Sequence, residues 1–131
     1  MELSINWIAV VLAALSSFVI GGLWYSVLFA KPWQKASGVT DEQLKSGTAR
    51  IFVGSFLISL VMAASLAAFI GSGGVIFGML AGGAAGVTWV AAAFGINYLF
   101  ERRSLCLFLT NAGYNVVAFT VMGSIIGAMQ G

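Results

Sequence analysis

The chain has 131 residues, 60% of them apolar and only 8% charged, with a formal net charge of +2. A water-soluble domain carries roughly a quarter charged residues, so this composition excludes an ordinary soluble globular protein. It also speaks against nucleic acid as a partner, because the basic residues form no stripe or groove. One Cys and no His leave no disulfide framework and almost nothing for a thiolate or imidazole metal site.

The N-terminus, Met1-Glu2-Leu3-Ser4, is acidic. It lacks the basic leader and short apolar core of a secretory signal, so the first apolar run is expected to stay as a membrane anchor. That run covers about residues 5–29. Trp7 suits one membrane interface and Trp33 the other, and Pro32 is expected to stop the helix.

A connector of about residues 30–50 follows. It holds Lys31, Lys35, Lys45 and Arg50, and within it Thr40-Asp41-Glu42-Gln43 matches a capping box, with Gly47 able to end the short helix. The second span runs over about residues 51–70. Gly71-Ser72-Gly73-Gly74 then makes a tight turn into the third span, about residues 75–100. Glu101-Arg102-Arg103 forms a short charged connector at 101–103, and the fourth span takes about residues 104–129. Cys106, near its start, reads as a packing residue.

The fold class is therefore all-α: a polytopic four-helix transmembrane bundle in one domain over residues 1–131. Every Lys and Arg lies in the first and third connectors, which an even number of spans puts on one side. The positive-inside bias assigns that side to the cytoplasm of a bacterial inner membrane and both termini to the outside.

Small residues recur every fourth position. The first span has Ala9, Ala13, Ser17 and Gly21, and the second Ser55, Ser59, Ala63, Ala67 and Gly71. The third has Gly74, Gly78, Gly82 and Gly86, and the fourth Gly123, Gly127 and Gly131. Within lipid, small residues let helix backbones approach closely and so drive association. These stripes predict a compact bundle. The glycine run of the third span serves either packing within the protomer or a homodimer interface, and four short helices bury little area alone, which favours a dimer or higher oligomer.

Towards the basic connectors the stripes change character. Gly21 leads to Tyr25; the third span continues through Val90 and Phe94 to Tyr98; the fourth begins with Asn111, Asn115 and Phe119. If these faces meet, one half of the bundle is tight and the other is wider. The candidate solute-contacting residues there are Trp24, Tyr25, Asn97, Tyr98, Asn111, Tyr114 and Asn115, with Ser26 nearby. Intramembrane polar residues mark pathways or sites, or they bond helices together at about 0.6–2 kcal/mol each. Trp89 reads as packing or lipid-facing. A weak internal repeat pairs Gly22-Leu23-Trp24-Tyr25 with Gly95-Ile96-Asn97-Tyr98, and Val61-Met62-Ala63 with Val121-Met122-Gly123. It suggests two parallel helical-hairpin repeats, a pattern used by some transporters.

Several of these residues carry a family resemblance. Asn6-Trp7, Leu23-Trp24-Tyr25-Ser26 and the run Lys31-Pro32-Trp33-Gln34-Lys35-Ala36-Ser37-Gly38 resemble the first half of a small bacterial membrane family. Asn97-Tyr98-Leu99-Phe100-Glu101 and Leu109-Thr110-Asn111-Ala112-Gly113-Tyr114 resemble its second half. The family is catalogued as domain of unknown function 1761. The resemblance implies a four-helix membrane protein and brings no established activity.

The leading functional expectation is a homo-oligomeric transporter or channel-like protein with no cofactor and no metal. The rival is an accessory or scaffold subunit packed against a larger membrane-protein partner in the lipid bilayer. An enzyme is not expected, since no general acid–base or nucleophilic constellation is present. Classical proton coupling is also disfavoured: the only acids are Glu2, Asp41, Glu42 and Glu101, at or beyond the span ends.

Overall fold

Asn6 starts the first helix. Its Oδ1 accepts from the backbone N–H groups of Ile8 and Ala9, both at 3.1 Å, occupying two donors that a helix start otherwise leaves free. The computed structural model describes residues 5–131; the acidic terminus at residues 1–4 lies outside them. Among the described residues the regular elements are all helices: α1 (Trp7–Leu28), α2 (Ala30–Ser37), α3 (Asp41–Leu44), α4 (Thr48–Ile70), α5 (Gly74–Glu101) and α6 (Leu105–Gln130). The helices α1, α4, α5 and α6 are long and apolar enough to cross a membrane, and they correspond to the four expected spans. Their outer surfaces are apolar, with Val19, Ile58, Val61, Ile76, Leu80 and Leu109 all exposed. In water such a surface would aggregate; in hydrocarbon it is matched to its solvent.

Pro32 does not stop α1. The helix widens into a π turn over Trp24–Leu28 and breaks at Phe29, whose φ and ψ are −128° and 24°. Pro32 instead sits in the first turn of α2, where a missing N–H costs nothing. Gly38 ends α2 with φ at 79°, a conformation that favours glycine. The capping box forms as read, with Thr40 N–H donating to Gln43 Oε1 at 2.8 Å and Gln43 N–H to Thr40 Oγ1 at 3.2 Å.

The core lies in the half of the bundle away from the basic connectors. Ala9, Val10, Ala13 and Ala14 of α1 meet Ala63, Leu66, Ala67 and Ile70 of α4, closed by Phe119, Met122 and Ile126 of α6. Helix α6 is central, packing on α5, α1 and α4. Its contact with α5 is the closest in the molecule. A Cβ placed on Gly78 would fall on the Gly123 carbonyl oxygen, and one on Gly82 on that of Phe119. Conversely, a Cβ on Gly123 would strike the carbonyl of Gly78, and one on Gly127 that of Gly74. The glycine run of α5 is thus spent within the protomer, against α6.

Beyond Gly86 the register changes. Residues Gly86–Ala91 form a second π turn, which inserts one residue and rotates the following helix. Ala91, which is buried, and Gly95, against Phe108, therefore continue the small-residue face in place of Val90 and Phe94. Val90 packs beside the core instead. On α4, Ala63 and Ala67 are buried, but Ser55 is exposed and only accepts through its carbonyl from the Ser59 hydroxyl, at 2.8 Å. Cys106 is exposed rather than packed, although the next residue, Leu107, is buried.

At the end away from the basic connectors one side chain ties three helices. Gln130 accepts from the Asn6 N–H at 2.9 Å and donates to the carbonyls of Ala67 and Gly71 at 3.1 and 2.9 Å. It thereby adds a second donor to the Ala67 carbonyl, which also accepts the Gly71 N–H, and supplies one to the Gly71 carbonyl just past the end of α4. Gln130→Ala is expected to lower stability by about 1–3 kcal/mol, read as a fall in the melting temperature of the detergent-solubilised protein.

The hairpins α1–α4 and α5–α6 run in the same sense, as in any four-span bundle, but they pack unequally. α1 lies along α6, whereas α4 approaches α5 beside their shared turn, where Phe69 and Phe77 stack at 6.3 Å. Towards the charged end α4 and α5 diverge, leaving Ile51, Phe52, Val53, Leu57, Trp89, Ile96 and Leu99 exposed.

Candidate functional site

Where the glycine contact ends, α6 presents Thr110, Asn111, Tyr114 and Asn115 to its neighbours. The π turn of α1 brings two consecutive residues onto α6. Trp24 Nε1 donates to the Thr110 carbonyl at 2.9 Å, and the Tyr25 hydroxyl donates to Asn111 Oδ1 at 2.6 Å. Asn111 Nδ2 donates to the Tyr98 hydroxyl at 2.7 Å, so a single amide joins α1, α6 and α5. Tyr114 donates back to the Ser17 carbonyl at 2.9 Å, and Asn115 Nδ2 to the Asn111 carbonyl at 2.9 Å. The rings also pack edge to face, with Tyr25 centred 5.4 Å from Tyr114 and 5.2 Å from Trp33.

Two glycines make room for this belt. A Cβ on Gly21 would lie 3.3 Å from the Tyr114 hydroxyl, and one on Gly113 would lie 3.1 Å from the Trp24 ring. Gly21 was read as part of a packing stripe, and its neighbour is an aromatic ring rather than another small residue. Gly113 was not singled out; its place beside Tyr114 in the Leu109–Tyr114 motif is the signal that could have found it. Ser17 and Thr110 contribute backbone carbonyls, which no residue pattern reveals.

Six of the seven candidate residues thus come together: Trp24, Tyr25, Tyr98, Asn111, Tyr114 and Asn115. Asn97 does not. Tyr98 takes the position facing α6, and Asn97, one residue earlier and about 100° round the helix, is exposed. With Trp89, Val90, Ala93 and Phe94 it lines a separate concavity of about 330 Å³ on α5. Ser26 is also exposed, outside the belt.

The belt carries no charge. Its fully buried polar atoms all have partners among the described residues. Among the described residues, Asn115 Oδ1 and the hydroxyl proton of Tyr98 have no hydrogen-bond partner, which leaves one acceptor and one donor to spare. Asn115 lies ten residues into α6, about 15 Å along its axis. The one ion pair among the described residues, Arg103 to Glu101 at 3.5 Å, is exposed in the connector and contributes little. Among the described residues no three His, Cys, Asp or Glu side chains gather to hold a metal ion.

Four apolar helices, a glycine-locked half and an uncharged polar belt define a small polytopic protein of the membrane type. A family described as "Protein of unknown function (DUF1761)" matches residues 8–127, and the chain belongs to it. Neither a search of curated proteins nor a search of solved structures returned a match.

Proposed function

We propose that the protein is a homo-oligomeric transporter or channel-like protein of the bacterial inner membrane. The basic connectors face the cytoplasm and both termini lie outside. A neutral or weakly polar solute enters between the diverging ends of α4 and α5 and reaches the belt around Asn111 and Asn115. The observation that carries this reading is the pair of unspent valences, Asn115 Oδ1 and the Tyr98 hydroxyl. Polar capacity deep in a span is costly unless it has work to do. The lining is uncharged, so selectivity rests on amide and phenol dipoles, and no catalytic group takes part.

The test is thermal unfolding of wild type and Asn115→Leu across a panel of ions and small solutes. A solute that binds the folded state raises the melting temperature by mass action, by several degrees at saturation. The expected result is stabilisation of the wild type by one solute class and none of the variant. If no solute moves the wild type and the variant is merely less stable, the belt is interhelical glue.

A second reading is favoured by one observation: the charged-end half of α4 is uncovered, with Ile51, Phe52, Val53 and Leu57 exposed beside Ser55. This face suits another membrane protein if the chain is an accessory subunit. Co-purification of one defined partner, with no solute response, would select that reading.

A further inference from the structure

Helix α2 gives the belt one ring contact and no hydrogen bond, yet it is held in one place. It docks against α6, and its Trp33 ring meets Tyr25 at 5.2 Å. Tyr25 bonds Asn111, six residues into α6, about 9 Å along that helix. Lys31 follows three residues after Leu28, the end of the first apolar span. Both markers put α2 at the level of the lipid headgroups rather than free in water.

Lys31 and Lys35 are a helical turn apart on the exposed edge of α2, with Cβ atoms about 6 Å apart. Together with Gln34, Gly38 and Val39 they line a shallow concavity of about 360 Å³. The left-handed turn at Gly38 brings Val39 round to form its far wall. Gln34 Nε2 donates to Asp41 Oδ1 at 2.6 Å, which ties α3 against α2.

We propose that this concavity holds the phosphate headgroup of an acidic phospholipid. The two ammonium groups pair with phosphate oxygens, and the acyl chains join the surrounding bilayer. Two cations with no aromatic cage favour an anionic headgroup over a choline. A shallow site would leave a free anion largely hydrated. A lipid is presented at the right depth by its own chains, which raises its effective concentration there. The site stands whether or not the belt binds a solute.

Native mass spectrometry of the full chain in neutral detergent, with phosphatidylglycerol and phosphatidylcholine at equal concentration, tests the proposal. The wild type is expected to retain phosphatidylglycerol preferentially. Lys31→Gln with Lys35→Gln should weaken that binding by about fivefold per lysine, while Lys31→Arg with Lys35→Arg preserves it. Arg102→Gln with Arg103→Gln should change it little. Equal retention of both lipids overturns the proposal, as does an equal loss in Arg102→Gln with Arg103→Gln, which would mean generic charge attraction. Displacement of the lipid by millimolar inorganic phosphate would also overturn it, since the site would then be one for free anions.

Discussion

Gly82→Leu is expected to abolish the folded bundle. A Cβ at Gly82 would lie on the Phe119 carbonyl oxygen and close to the Gly123 Cα. These are backbone atoms of the central helix, so no rotamer change can relieve the clash. Relief requires α5 and α6 to separate towards ordinary interaxial distances of about 8–10 Å. Separation would undo the neighbouring contacts at Gly78, Gly123 and Gly127 together. In lipid nothing replaces that close packing as a driving force. Overpacking alone costs about 1–3 kcal/mol, and losing the whole interface exceeds that. The measurement is recovery of monodisperse protein in detergent together with its melting temperature. Gly54→Ala is the control: that helical glycine has nothing within 4 Å of a built Cβ, and the change should be neutral or stabilise by up to about 1 kcal/mol.

Asn111→Leu is the second large effect. The substitution keeps the branched shape of the side chain and removes the amide that joins Tyr25, Tyr98 and α6. Two interhelical hydrogen bonds are lost, and the half-buried Tyr25 hydroxyl is left without its acceptor. At about 0.6–2 kcal/mol per bond, with an added penalty for the orphaned group, the expected loss is about 2–4 kcal/mol. Tyr25→Phe made in the same background should restore part of it, because it removes the orphan. A double-mutant cycle on Tyr25 and Asn111 reads this coupling directly. Additive single effects would mean that the hydrogen bond carries no weight in the assembled bundle.

The spans were legible because hydropathy and the placement of charge are coarse signals that no tertiary detail overrides. Glycine packing on α5 and α6 was legible for a related reason, since Gly at every fourth position leaves one face without side chains. Its continuation was not. Counting by fours past Gly86 assumes a regular α-helix, and the π turn at Gly86–Ala91 moved the face to Ala91 and Gly95. The trace of this lay in the five-residue step between small residues. Asn97 was grouped with Tyr98 because both are polar, although adjacent residues on a helix point to different neighbours. Pro32 was read as a terminator when it equally fits the first turn of a new helix. The Gln130 clamp joins Asn6, Ala67 and Gly71, partners so distant in sequence that only the assembled bundle reveals them. The aromatic and amide members of the belt were visible as residues. Their pairing depends on how far each helix is rotated about its axis, which composition does not encode.

The central claim is that the polar belt is reached from the charged side while the glycine-locked half is sealed. Asn115→Cys in a Cys106→Ser background tests it, using a membrane-impermeant maleimide on vesicles of both orientations. The account predicts labelling when the basic connectors face the reagent, protection by any stabilising solute, and none from the opposite face. A thiol at position 115 that stays unreactive from both sides, in a protein that remains folded, would contradict it.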